Sequence, residues 1–205
     1  MDGDPEAVAA CVSAHLLGGA ITLGAQFMIW RVLTSNREPK IFSVWSAFAL
    51  VVFLQMALGA WTSSQYAGLV CPDFPTCQGN WWVTIDSGVL QAPMVEGDEY
   101  LGGMLGMADK MAVQWLHRLG AIAVLFMFFY LAIQKIQQRR SVYFCLGFLC
   151  LQIILGILNA IWLLPLTLAL LHNTVAMLLW LSALNGMTAK EIELEREEPV
   201  EELLA

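Results

Sequence analysis

The chain has 205 residues, 59% of them hydrophobic and 13% charged, with a mean hydropathy of +0.66. Soluble domains carry about 25% charged residues, so water is not the only solvent of this protein. The formal net charge of -7 does not describe its body, because Glu191, Glu193, Glu195, Glu197, Glu198, Glu201 and Glu202 crowd the C-terminal end.

The first residues, Met1-Asp2-Gly3-Asp4-Pro5-Glu6, are acidic where a secretory signal would be basic, so the membrane spans are expected to direct insertion themselves. Five apolar stretches follow, at about 8–33, 42–63, 111–134, 141–162 and 166–188. Each is close to the roughly 20 residues that cross a bilayer as a helix. Unpaired backbone amides are not tolerated in hydrocarbon, and the lack of strict alternation argues against strands, so helices are predicted. Arg31, Arg37 and Lys40 lie between the first two spans, Lys135, Arg139 and Arg140 between the third and fourth, and Lys190 and Arg196 after the fifth. Only Lys110 and Arg118 fall on the other side. This bias puts the N-terminus and the segment of about 64–110 outside and the acidic tail in the cytoplasm.

Within the outer segment, Trp81-Trp82 read as interfacial anchors, with ligand stacking as the alternative. Cys71 and Cys77, in Cys71-Pro72-Asp73-Phe74-Pro75-Thr76-Cys77, are placed to oxidise to a disulfide outside the cytosol. That bridge is read as a structural staple or, alternatively, as a redox-active pair. Cys11, Cys145 and Cys150 fall in spans and read as small packing residues. Leu163-Leu164-Pro165-Leu166 is too short to do more than turn the chain between neighbouring helices.

A weak internal repeat runs through the spans. Leu54-Gln55-Met56-Ala57-Leu58-Gly59 matches Leu151-Gln152-Ile153-Ile154-Leu155-Gly156, and His15-Leu16-Leu17-Gly18 echoes His117-Arg118-Leu119-Gly120. His15, His117 and His172 all lie in predicted spans, six or seven residues in, so at roughly 10 Å depth. Ionisable side chains in a membrane are costly and usually functional. Two imidazoles at matched depth, His117 and His172, can supply both axial ligands of a haem iron in a bundle core. The alternative for each is an interhelical hydrogen bond. Gly120, Ala121 and Ala176 are small enough to admit the macrocycle. Arg118 is read as a partner for a haem propionate or as a side chain that snorkels to the headgroups. Other metals lack a third or fourth ligand at suitable spacing.

Three segments resemble the haem A synthase family, membrane enzymes that oxidise a methyl group of haem O to a formyl group. They are Gly68 to Gly79, which includes Cys71-Pro72-Asp73-Phe74-Pro75-Thr76-Cys77; Trp115-Leu116-His117-Arg118-Leu119-Gly120-Ala121; and Leu155-Gly156 through Leu164-Pro165 to His172-Asn173. The resemblance implies an all-α integral membrane protein with five transmembrane helices. Residues 42–188 would form an antiparallel four-helix haem-binding bundle, resembling the family's C-terminal half. Residues 1–41 would be the last helix of the N-terminal half with its loop, and 189–205 a cytoplasmic tail. It further implies haem B on His117 and His172, haem O as substrate, and His15 as half of a second haem site whose partner lies elsewhere. No residue is assigned as catalytic. A truncated or split chain is expected, partnered by the bilayer, by a separate chain or a homo-oligomer that supplies the other helices, and by the haem O-producing enzyme. Nucleic acid is not expected, and a bacterial inner membrane is. A small membrane cytochrome b and a membrane thiol oxidoreductase are the competing functions.

Overall fold

A computed structural model describes residues 5–35, 38–85, 105–135 and 138–188. The predicted acidic tail and part of the predicted outer loop, 86–104, lie outside the described residues. Among these the chain is all-helical, with five long α-helices: α1 (Pro5–Ser35), α2 (Val44–Ser64), α3 (Met107–Gln134), α4 (Arg139–Ile161) and α5 (Leu166–Gly186). A short 3-10 turn, Ala67–Leu69, follows α2. All five α-helices are long and apolar enough to cross a membrane, so the chain is an integral membrane protein. The predicted spans match them with boundary shifts of a few residues.

Local signals set the helix ends. Ser43 caps α2: its hydroxyl accepts from the Ser46 backbone N–H, and the Ser46 side chain accepts from the Ser43 N–H. This reciprocal pair satisfies two amides that the first turn of a helix otherwise leaves open. Between α4 and α5 the chain turns through Leu163 and Leu164, both left-handed at φ 57° and 56°.

Contacts fix two ends. At one, the Leu164 side chain lies where a Cβ on Gly68 would point, so the α4–α5 turn meets the segment after α2. At the other, Trp45 Nε1 donates to Gln138 Oε1, Lys40 N donates to Met187 O, and Arg31 donates to the Thr188 hydroxyl. The helices run between these two sets of contacts. Near the second end a core forms from stripes at helical spacing: Trp45, Phe48, Val52 and Met56 on α2; Val124, Phe128 and Leu131 on α3; Val142, Cys145 and Leu149 on α4; Leu179, Trp180 and Ala183 on α5. Phe48 and Phe128 pack at 6.0 Å, and Phe53 and Trp180 at 5.5 Å. A smaller cluster of Ala67, Leu105, Ala112 and Val113 sits at the first end, the loop end. On α3, His117 falls between the two clusters. Of the three unpaired cysteines only Cys145 is packed; Cys11 and Cys150 are exposed, so the packing role read for them from the sequence does not hold.

Candidate functional site

The repeated hexapeptide builds two similar cradles. On α2, Gln55 and Gly59 are four residues apart and share a face. The Gln55 amide nitrogen lies 3.1 Å from His117 Nδ1 and donates to the His117 carbonyl at 2.8 Å. A Cβ on Gly59 would lie 3.2 Å from His117 Cε1, so the ring rests against the glycine backbone. On α4, Gln152 and Gly156 repeat the arrangement. Gln152 Nε2 lies 3.0 Å from His172 Nε2, and a Cβ on Gly156 would lie 3.1 Å from His172 Cε1. Each glutamine stands nine residues before the end of its helix (55 to 64, 152 to 161), or roughly 14 Å along it. A pseudo-symmetric pair of helices thus holds one imidazole each, at matched height.

The donor set fits a haem. Neutral imidazoles suit iron, and each ring has one nitrogen held by an amide and one outside that bond. His172 Nδ1 is buried with no hydrogen-bond partner. Among the described residues no group of three His, Cys, Asp or Glu side chains is placed to hold a bare metal ion.

Arg118, the residue after His117, is engaged with the loop that follows α2. Its Nη1 donates to the carbonyls of Pro75 and Thr76 at 3.2 and 2.6 Å, and its Nη2 to those of Cys71 and Asp73 at 3.1 and 2.9 Å. The guanidinium also faces the Phe74 ring at 5.7 Å. A guanidinium offers five donors in a fixed fork, which suits a cup of carbonyls. It clamps the loop to α3.

The loop holds itself as well. Cys71 and Cys77 are disulfide-bonded and both wholly buried. A buried bridge is out of reach of exchanging thiols, so the staple is favoured over the redox-active pair. Asp73 accepts from the Thr76 hydroxyl, from Gln78 N at 2.6 Å and from Gly79 N at 2.9 Å. The left-handed backbone at Gln78 and Gly79 turns both N–H groups inward. The Thr76 hydroxyl first, then the two amides, hold the Asp73 carboxyl at a pKa of about 2, below its usual 3.8. Trp81 and Trp82 are exposed, with the edge of Trp82 on Trp115, two residues before His117.

The structure seats His117 and His172 in matching cradles but not His15. That side chain is exposed on α1, and a Cβ on neighbouring Gly18 or Gly19 would meet nothing within 4 Å. The small residue after His117 is not free for a macrocycle either: a Cβ on Gly120 would fall 2.0 Å from Gln55 Oε1. That space holds the glutamine. Sequence reasoning missed both glutamines as site residues, although they stand in the repeat.

A family model described as a cytochrome oxidase assembly protein, COX15-CtaA, matches residues 2–184. A Heme A synthase from Shewanella oneidensis is 31% identical over 182 residues, which are 83% of this chain and 55% of the relative. One from Rickettsia prowazekii is 27% identical over 151 residues, 69% of this chain and 41% of the relative. One from Beijerinckia indica is 26% identical over 182 residues, 82% and 48% respectively. The chain spans about half the length of these curated relatives.

Proposed function

The chain belongs to the COX15-CtaA family of cytochrome oxidase assembly proteins, and from that premise we propose that it carries the haem B-binding half of a haem A synthase. In this reading α2–α5 form an antiparallel bundle, and His117 and His172 are the two axial ligands of one haem B. The observation that carries it is the duplicated cradle: two half-buried imidazoles, each held by a glutamine and a glycine of the same repeat, at the same height. When bound, the haem would supply one-electron chemistry. The chain's own residues orient the ligands, exclude water through the two apolar clusters, and hold the loop over the His117 end through Arg118.

The activity served would be oxidation of the haem O methyl group to a formyl group. His15 would take part on the haem O side, with its partner histidine on a separate chain or a second copy. The positive-inside bias puts loop 64–110 on the outer face of a bacterial inner membrane and the C-terminus in the cytoplasm. A small membrane cytochrome b without its own catalysis is the alternative reading.

The full chain should purify with one low-spin haem, measured as a pyridine haemochrome. His117→Ala and His172→Ala should each abolish the six-coordinate spectrum. An unchanged low-spin spectrum in both variants would refute the ligation. Bound haem without conversion of haem O, when a complementing chain is supplied, would favour the cytochrome.

A further inference from the structure

Haem ligation by His117 and His172, as proposed above, leaves Gln55 and Gln152 without a stated role, yet both have their amides on the ligand rings. Their carbonyl oxygens, Gln55 Oε1 and Gln152 Oε1, are buried with no hydrogen-bond partner. A buried acceptor left open is costly and calls for an explanation. The chemistry of the rings supplies one. A neutral imidazole carries a single proton, so a ring nitrogen bound to iron forces that proton onto the other nitrogen, which must then donate. The group within hydrogen-bond distance of that other nitrogen is the glutamine amide, at 3.1 Å in one cradle and 3.0 Å in the other. A half-turn of the amide about its Cγ–Cδ bond exchanges Nε2 for Oε1 and presents the unpartnered oxygen to the ring N–H. In Gln55 the same turn gives up the bond to the His117 carbonyl.

We propose that Gln55 and Gln152 are positioning residues for the haem ligands: each sets the plane of one imidazole, selects the ring nitrogen offered to iron, and accepts the proton on the other. The glycine four residues on completes the selection, because it lets the Cε1 edge of the ring come close to the helix where a methyl group would push it back. The repeat Leu-Gln-x-x-x-Gly is on this view the signature of a ligand holder, used once per helix pair. An acceptor on the distal N–H makes the imidazole a stronger donor and favours ferric over ferrous iron.

The test uses the full chain in detergent, with Gln55→Leu, Gln152→Leu, Gln55→Glu and Gln152→Glu. Three quantities are measured: haem transfer to excess apomyoglobin, the midpoint potential, and the low-spin electron paramagnetic resonance g values. Each leucine variant should lose haem about tenfold faster, the lower end of the usual effect of a missing ligand partner. Each glutamate variant should retain haem and favour the ferric state about tenfold more, a fall of about 59 mV for one electron. Its g values should shift with the stronger donor. Leucine variants that keep wild-type transfer rates, or glutamate variants that keep wild-type potentials and g values, would overturn the proposal. If the leucine variants do not fold, the near-isosteric glutamate variants decide alone. Haem lost in His117→Ala and His172→Ala but unaffected in all four glutamine variants would sink this inference and leave the ligation standing. Haem unaffected in the histidine variants would sink both.

Discussion

An alanine at position 120 would place its methyl carbon 2.0 Å from Gln55 Oε1 and 2.9 Å from Leu58 Cδ1. Contacts under 3.0 Å do not occur, so the Gln55 amide must retreat by about 1 Å or more. It cannot do so and keep its bonds to His117 Nδ1 and the His117 carbonyl. Those two bonds together hold about 1–2 kcal/mol, the lower figure applying between membrane helices. Alanine in a helix returns about 1 kcal/mol relative to glycine, so these two effects nearly cancel. The stranded amide decides the sign, since a buried polar group without partners costs about 1–3 kcal/mol. Gly120→Ala should therefore destabilise by about 1–3 kcal/mol, with the thermal midpoint in detergent falling by about 2–4 °C per kcal/mol. The control is Gly147→Ala on α4, where a Cβ meets nothing within 4 Å; it should be neutral or stabilising by up to about 1 kcal/mol. In a double variant, Gln55→Ala should absorb part of the Gly120→Ala cost, because the clashing amide is gone. A Gly120→Ala protein as stable as Gly147→Ala would refute the placement of Gln55 between α2 and α3.

Other tests address the rest of the site. Arg118→Ala should raise amide hydrogen exchange across 71–80 at least tenfold, with Arg118→Lys recovering only part because one ammonium cannot span four carbonyls; unchanged exchange would remove the clamp. The folded pKa of Asp73 lies below its unfolded value, so its contribution is present above about 3.8 and disappears as pH falls towards about 2. Loop exchange protection should be flat from pH 8 to about 4 and fall below that, and Asp73→Asn should flatten the fall; the same acid loss in the variant would assign it elsewhere. Gly59→Ala and Gly156→Ala each ask a ring to give a few tenths of an ångström, so both should shift the low-spin g values of the haem-loaded protein and leave its helix content intact; wild-type g values in both would contradict the cradle. Reductant without denaturant should leave Cys71–Cys77 intact, as mass spectrometry of alkylated protein would show, because both cysteines are buried.

The five spans and the Cys71–Cys77 bridge were legible because each leaves a local mark: a run of apolar residues, a short cysteine spacing. The repeat was legible as letters but not as a holder of imidazoles, since glutamine in a membrane helix reads equally as a generic interhelical bond. The loop contacts of Arg118 were not legible because its partners lie 42–47 residues away in sequence, where no periodicity reaches. Gly120 was read as space for a ring, whereas the neighbouring helix fills it. The exposure of His15 could not be read at all: α1 is apolar on every side, and in a membrane a lipid-facing position is as apolar as a packed one.

Left-handed backbone costs a non-glycine residue roughly 1–2 kcal/mol, and two leucines in succession adopt it where α4 passes into α5. That junction resists the reversal it makes. The hairpin is therefore closed from its walls, by helix against helix and by Leu164 lodged on Gly68, and its tip is bent to follow. The segment that receives Leu164 stands nearly a hundred positions earlier in the sequence, so this reversal is held by a part of the chain remote from it.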